Sequence, residues 1–179
     1  MSHEQLWAPW RLEYIVGEKG NVDPCDPAEL LPGADPTCFL CQAMPDGDDR
    51  QRLVIDRGEH AITLLNRFPY NNGHLLVAPR RHVSRLDAIG PEAALELSQT
   101  LARMVGVLEK AMQPQGFNIG LNLGRAAGAG VPGHLHWHIV PRWVGDTNFM
   151  PSVAGVHTIP QALEALWELL TTELKGSDK

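Results

Sequence analysis

The chain has 179 residues, 44% of them apolar, with 17 glycines and 14 prolines. That is enough for one compact domain with a generous share of loop. A formal net charge of −6 argues against a general nucleic-acid binder, which needs a positive field over much of its surface. No stretch approaches the ~20 apolar residues of a membrane span, so the expectation is a cytoplasmic protein with neither membrane nor nucleic acid as partner.

The first residues, "MSHEQLWAPWRLEYI", lack a basic region followed by an apolar run and do not read as a secretory signal. Trp7 and Trp10 there read as packing or dimer-contact residues. Residues 17–37, rich in Gly, Pro and Asp without periodicity, read as a loop-rich arm in which Cys25 is a free thiol. Three cysteines are an odd number, and no disulfide framework is expected in a reducing compartment. "MPDGDDR", residues 44–50, reads as a turn. "RLVIDRGEHAITLL" reads as a hairpin of two short strands, and "HLLVAP", "FNIGLN" and the segment "GHLHWHIVPRW" supply three more.

Two segments carry helical period instead. In residues 91–112, Leu95, Ser98, Leu101, Ala102, Val105, Leu108 and Met112 recur at three- and four-residue steps, with Pro91 at the first helical position. "PQALEALWELLTTELK" repeats the design, with Pro160 at its start and Leu163, Leu166, Leu170 and Leu174 as its stripe. The expectation is an α+β fold: a mostly antiparallel sheet, one long helix and a C-terminal helix, in a single domain over residues 1–179.

Chemistry concentrates in "HLHWH", where His134, His136 and His138 occupy alternate positions. In a strand such residues share one face, and Leu135, Trp137 and Ile139 face the other way. The glycine-rich loop "NLGRAAGAGVPG" precedes the row, and its backbone N–H groups could cradle an anion. A neutral imidazole beside such a cradle is a competent nucleophile toward phosphorus; a three-histidine metal site would use the same spacing. Cys38 and Cys41 form a C-x-x-C pair, able to grip a tetrahedral zinc once two more ligands arrive. Two buried thiols or a redox pair are the competing readings. His60, His74, His82 and one of the triplet could complete a zinc site, with His82 and His134 favoured by their places beside the strands. Four protein ligands would leave no open position and make the metal structural. His3, His60 and His157 follow no pattern.

These residues resemble the histidine triad (HIT) superfamily, whose signature is His-x-His-x-His followed by two apolar residues, here "HLHWHIV". "LLNRFPYNNGHLLVAPRRH" resembles the family's nucleotide-binding segment and "GLNLGRAAG" its phosphate loop. "LWAPWRLEYI" and "PRWVGDTNFM" resemble the bacterial branch described as diadenosine tetraphosphate (Ap4A) phosphorylase-like. The resemblance implies the HIT-like fold, with a five-stranded sheet, and a roster of roles. His136 would attack the α-phosphorus and carry the nucleotidyl group, His138 would assist the leaving group, and His74 would buttress the triad. Asn66 would contact the ribose, Asn122 and the backbone of Gly128, Ala129 and Gly130 the phosphates, and Trp143 the purine or a second nucleotide. Cys38, Cys41, His82 and His134 would hold a structural zinc, and the protein would be a homodimer.

The resemblance also implies the reaction. A nucleoside phosphoanhydride is cleaved through a nucleotidyl-histidine, with phosphate as acceptor (Ap4A phosphorylase) or water as acceptor. In the second case the enzyme is a hydrolase of dinucleoside polyphosphates, AMP phosphoramidates or aminoacyl adenylates. A non-catalytic nucleotide-binding module is the alternative from another class. Many relatives carry Ser, Thr or Gln where this chain has Ala129 and Gly130, so a side-chain hydrogen bond to phosphate is missing here. Pro132-Gly133, just before the triad, could also alter the path of the loop.

Overall fold

The computed structural model describes residues 30–146 and 161–177. Trp7, Trp10, His3, Cys25, His157, Pro160 and the first part of the 17–37 arm lie outside the described residues. Residues 30–37 form turns, in which the Asp35 carboxylate accepts the backbone N–H (2.8 Å) and hydroxyl (2.7 Å) of Thr37. A short helix α1 (Phe39–Ala43) follows, then strands β1 (Val54–Arg57), β2 (Ala61–Leu65) and β3 (Leu75–Pro79). The long helix α2 (Pro91–Met112), β4 (Gly116–Leu121), β5 (Trp137–Arg142) and α3 (Leu163–Ser177) complete the chain.

The strands form one antiparallel sheet in the order β1-β2-β3-β5-β4. Strand alternation splits its side chains between two cores. On one face Leu65, Leu75, Val77 and Ile139 pack under α2 and α3 through Leu97, Met104, Leu108, Leu166 and Leu170. On the other, Val54, Ile62, Leu64 and Ala78 pack under α1 and its flanks through Leu40, Cys41 and Met44. Trp137 lies on the first face, away from the histidines, as its parity in the row requires.

Helix α2 begins at Pro91, as expected, but its buried stripe is Leu97, Thr100, Met104, Val107 and Leu108. Leu95, Ser98 and Ala102, expected on that stripe, face outward, and Leu95 is 61% exposed. Two apolar stripes compete on this helix, and contact with α3 and the sheet selects one of them. The C-terminal stripe is as expected, although α3 starts three residues after Pro160, at Leu163.

Strand β5 also begins later than the histidine row. Val77 pairs with Trp137, so Leu135 would next meet Pro79, which has no N–H to donate. The ladder stops there, and the Leu135 N–H turns instead to the carbonyl of Val83, at 2.7 Å.

Glu96 on α2 reaches the β1–β2 turn, where its carboxylate accepts the backbone N–H groups of His60 and Ala61, each at 3.0 Å. A Cβ at Gly58 would collide with that carboxylate. Glu96→Ala leaves two turn donors without their partner and should lower stability by about 1–3 kcal/mol. Urea unfolding should report this as a lower midpoint at unchanged slope.

Candidate functional site

Two adjoining groups of side chains occupy the α1 face of the sheet. Cys38, at the start of α1, and Cys41 within it face His134 and His82. The Cys38 sulfur lies 3.4 Å and the Cys41 sulfur 3.5 Å from His134 Nδ1, and Cys41 lies 3.2 Å from His82 Nδ1. The four ligand atoms all fall within 4.8 Å of one another. A tetrahedral ion with ordinary metal–sulfur and metal–nitrogen bonds would place S and N about 3.6 Å apart, close to the spacing seen. The proton on His134 is settled by its other nitrogen: Nε2 lies 2.8 Å from the Pro79 carbonyl, which can only accept. Nε2 therefore carries the hydrogen, and the Nδ1 lone pair points at the sulfurs. Burial pushes the Cys38 thiol up to about 12, so without a cation it would stay protonated. The donor set thus fits a metal ion with no vacant position.

Gly133 completes the cluster, because a Cβ there would come within 3.2 Å of the His82 ring. The flanks of α1 are held from the sheet by two guanidiniums, Arg57 and Arg80, which both donate to the Met44 carbonyl, at 2.7 and 3.3 Å.

The second group is a line of imidazoles. His136 Nδ1 lies 2.9 Å from the backbone carbonyl of His134, so Nδ1 holds the hydrogen and the Nε2 lone pair is left for chemistry. The rings of His136 and His138 meet edge to face at 5.1 Å. His138 Nδ1 lies 2.9 Å from His74 Nε2. On the far side of His74, Nδ1 accepts the backbone N–H of Tyr70 at 3.0 Å, and the Asn66 amide Nδ2 stands 3.2 Å from it. A peptide N–H can only donate, so His74 carries its hydrogen on Nε2 and gives it to His138 Nδ1. His138 then carries its own hydrogen on Nε2, a buried atom with no hydrogen-bond partner among the described residues. One lone pair and one N–H therefore stand side by side, a basic nitrogen next to a hydrogen-bond donor.

Burial keeps these rings neutral. It pushes His74 down to about 3, with the neighbouring His138 and His136 adding to the effect, and His138 down to about 4. His136 is lowered from the ordinary imidazole value by the same desolvation, opposed by its bond to the His134 carbonyl.

The other expected residues lie at varying distances. Asn66 sits beside His74, its carbonyl oxygen accepting the Phe68 N–H at 3.0 Å. Asn122 follows the end of β4 and is half-buried. In the glycine loop, Gly128 adopts φ +85°, in the left-handed region that glycine favours. The Gly128 N–H donates to the Arg125 carbonyl (3.0 Å) and that of Ala129 to Gly124 (3.3 Å). Both donors are thus engaged within the loop's own turn, while Gly130 is exposed. Trp143 lies beyond the end of β5, five residues past His138 or about 17 Å along an extended chain. Sequence reasoning did not single out Tyr70, whose ring stacks at 5.7 Å on His138 and lies 4.8 Å from His74. Nor did it single out Asn71 or Asp146. Only their nearness to "NNGH" and "PRW" hinted at them.

Residues 49–144 match the HIT domain. The chain belongs to the HIT family. Over 170 residues it is 38% identical to the AP-4-A phosphorylase of Mycobacterium tuberculosis, a match covering 95% of this chain and 84% of that one. It is 36% identical over 93 residues to an asymmetrical bis(5'-nucleosyl)-tetraphosphatase of Schizosaccharomyces pombe, covering 52% of this chain and 50% of the yeast protein. Among solved structures, a zinc-bound histidine triad protein of Mycobacterium smegmatis superposes with a TM-score of 0.58 at 26% identity, covering 70% of this chain and 86% of that one. The α+β HIT fold expected from the motifs is the fold observed. Among the described residues, no helix is long and apolar enough to cross a membrane.

The depressed His74 value has a consequence for this HIT fold. Unfolding exposes a ring that takes up a proton near 6.5, whereas the folded ring resists protonation until about 3. The unfolded state therefore binds protons first as pH falls, and stability should decline from pH 6.5 downward. This ring alone should cost about 2 kcal/mol between pH 6 and pH 4. Urea midpoints measured across that range in His74→Gln should fall less steeply than in wild type.

Proposed function

We propose that this HIT protein is a nucleotidyl-transferring enzyme that cleaves diadenosine tetraphosphate with phosphate as acceptor, giving ATP and ADP. The observation that carries the reading is the pairing of a free His136 Nε2 lone pair with the unpartnered Nε2–H of His138, on rings 5.1 Å apart. His136 attacks the α-phosphorus, and the bond to the bridging oxygen breaks. The Nε2–H of His138 donates a hydrogen bond to this oxygen as negative charge builds on it, and ATP departs as the anion. Phosphate then attacks the adenylyl-histidine from the opposite side, releasing ADP and restoring the His136 lone pair. Because the rings are neutral, positioning and oriented dipoles supply most of the barrier reduction. Asn66 serves as the ribose contact, and Asn122 and Gly130 serve the phosphates, with the N–H groups of Gly128 and Ala129 holding the loop's own turn. Trp143 serves the second nucleotide. The similarity to the AP-4-A phosphorylase of Mycobacterium tuberculosis over nearly the whole chain supports phosphate as acceptor.

Within the same reading, the Cys38, Cys41, His82 and His134 cluster holds a structural zinc, supported by its two-sulfur, two-nitrogen donor set and by the zinc-bound relative. The metal ties α1 to the sheet and takes no part in the phosphoryl step. The chain acts as one cytoplasmic domain over residues 1–179 and pairs with a second copy. The outward face of α2 at Ala94, Leu95, Ser98 and Ala102 and the edge strand β4, where Ile119 is 48% exposed, support that pairing.

Incubation with Ap4A should give ATP and ADP only when phosphate is present, as read by chromatography. AMP and ATP formed without phosphate would make the protein a hydrolase, and no product at all would make it a binding module. His136→Gly should lose at least about 1,000-fold in kcat while keeping nucleotide affinity; retained turnover would remove the nucleophile assignment. Native mass spectrometry addresses the remaining points. A dimer carrying one zinc per chain is expected, and Cys38→Ser should lose the metal. A metal-free wild-type protein would refute the zinc reading, and a monomeric mass the dimer.

A further inference from the structure

We propose that Asp146 is a positioning residue which, from outside the histidine row, selects the tautomers of His74 and His138. Asp146 lies in the turn after β5, and its side chain is only 9% exposed. Its Oδ2 accepts Arg142 Nε at 2.6 Å, Asn71 Nδ2 at 2.8 Å and the Trp143 N–H at 3.2 Å, and Oδ1 accepts Arg142 Nη2 at 2.9 Å. Asn71 Nδ2 also donates to the Pro141 carbonyl at 3.0 Å. The carboxylate thus fastens the end of β5, the strand bearing His138, to the β2–β3 turn that bears His74.

The geometry of that turn decides where the protons sit. The Asn71 carbonyl accepts the backbone N–H of His74 at 3.3 Å, and the neighbouring Tyr70 N–H donates to His74 Nδ1. The Asn66 Nδ2 also faces Nδ1, an orientation set by the Phe68 N–H on its oxygen. The Tyr70 N–H can only donate, and it shares the β2–β3 turn with Phe68, so both claims on Nδ1 depend on the path of that turn. With the Asp146–Asn71 tie cut, Asn71 Nδ2 keeps only its bond to the Pro141 carbonyl, and the loosened turn can carry the Tyr70 and Phe68 N–H groups off their partners. His74 can then place its hydrogen on Nδ1 and offer an Nε2 lone pair to His138. The hydrogen of His138 must move to its own Nδ1, and the donor aimed at the leaving oxygen is lost. Gly73 narrows the alternatives: at φ +73°, a Cβ there would meet Met112 Sδ at 2.8 Å, so the turn lies close against α2.

The effect on turnover rests on the proposed role of His138, whereas the tautomers can be read without any substrate. Two-bond 15N–1H spectra of the histidine rings, assigned with His74→Gln and His138→Gln, should show both rings protonated on Nε2 in wild type. In Asp146→Ala an Nδ1–H population should appear on both rings. With Ap4A and phosphate, kcat should fall by about 10-fold or more while KM moves little, since a hydrogen-bond donor aimed at developing charge is worth at least that much. Asn71→Ala, which leaves the Arg142–Asp146 ion pair in place, should act in the same direction and carries the test if Asp146→Ala does not fold. Glu96→Ala weakens a distant turn and should leave the tautomers as in wild type. Unchanged tautomers in both Asp146→Ala and Asn71→Ala, an equal change in Glu96→Ala, or altered tautomers at full kcat would each overturn the proposal. If wild type turns over no Ap4A, the functional reading fails while the spectra still decide the positioning claim.

Discussion

Assignment of protons among neutral imidazoles is the constraint on which the site depends. A histidine ring has two nitrogens and one hydrogen, and each ring can act in only one way once a neighbour has claimed one nitrogen. Here the claims come from groups that cannot change sides. The Pro79 carbonyl takes the hydrogen of His134, the His134 carbonyl takes that of His136, and the Tyr70 N–H refuses one to His74. From these three backbone groups follow a sulfur-facing lone pair on His134, a lone pair left on His136 and a buried, unpartnered N–H on His138. Burial completes the arrangement by keeping the rings uncharged, so that no ring gains a second hydrogen at neutral pH.

His134 joins the two groups of side chains. Its ring nitrogens serve the sulfur cluster and Pro79, while its backbone carbonyl orients the next histidine in the row. The sheet makes this possible by stopping its β3–β5 ladder at Pro79. A continued ladder would have consumed the backbone groups that the rings now use, since a paired strand has no carbonyl to spare for side chains. The two cores divide the remaining labour. The larger one, under α2 and α3, holds β2, β3 and β5 in register, and the smaller one seats α1 above the same strands so that Cys38 and Cys41 reach the histidines.

Several features of this arrangement were readable from residue order. The strict alternation of His134, His136 and His138 required a common face, and the parity of Trp137 required the opposite one. The pair Cys38 and Cys41 advertised a two-sulfur grip, and His82 followed a strand at the right end of the sheet. Other features were not readable. Helix α2 has apolar residues on more than one face, and packing against Leu166, Leu170 and the sheet selects the stripe through Leu97 and Met104. Asp146 and Asn71 stand 75 residues apart in the chain and meet only because β5 pairs with β3.

By itself, then, the sequence determined which faces and which reactive atoms exist, because side-chain alternation and ligand chemistry are local properties of neighbouring residues. Which nitrogen of each ring holds its hydrogen was decided only in three dimensions. That outcome depends on backbone donors and acceptors from Pro79, Tyr70 and His134 arriving at particular ring atoms, and no local pattern specifies where a distant carbonyl will point.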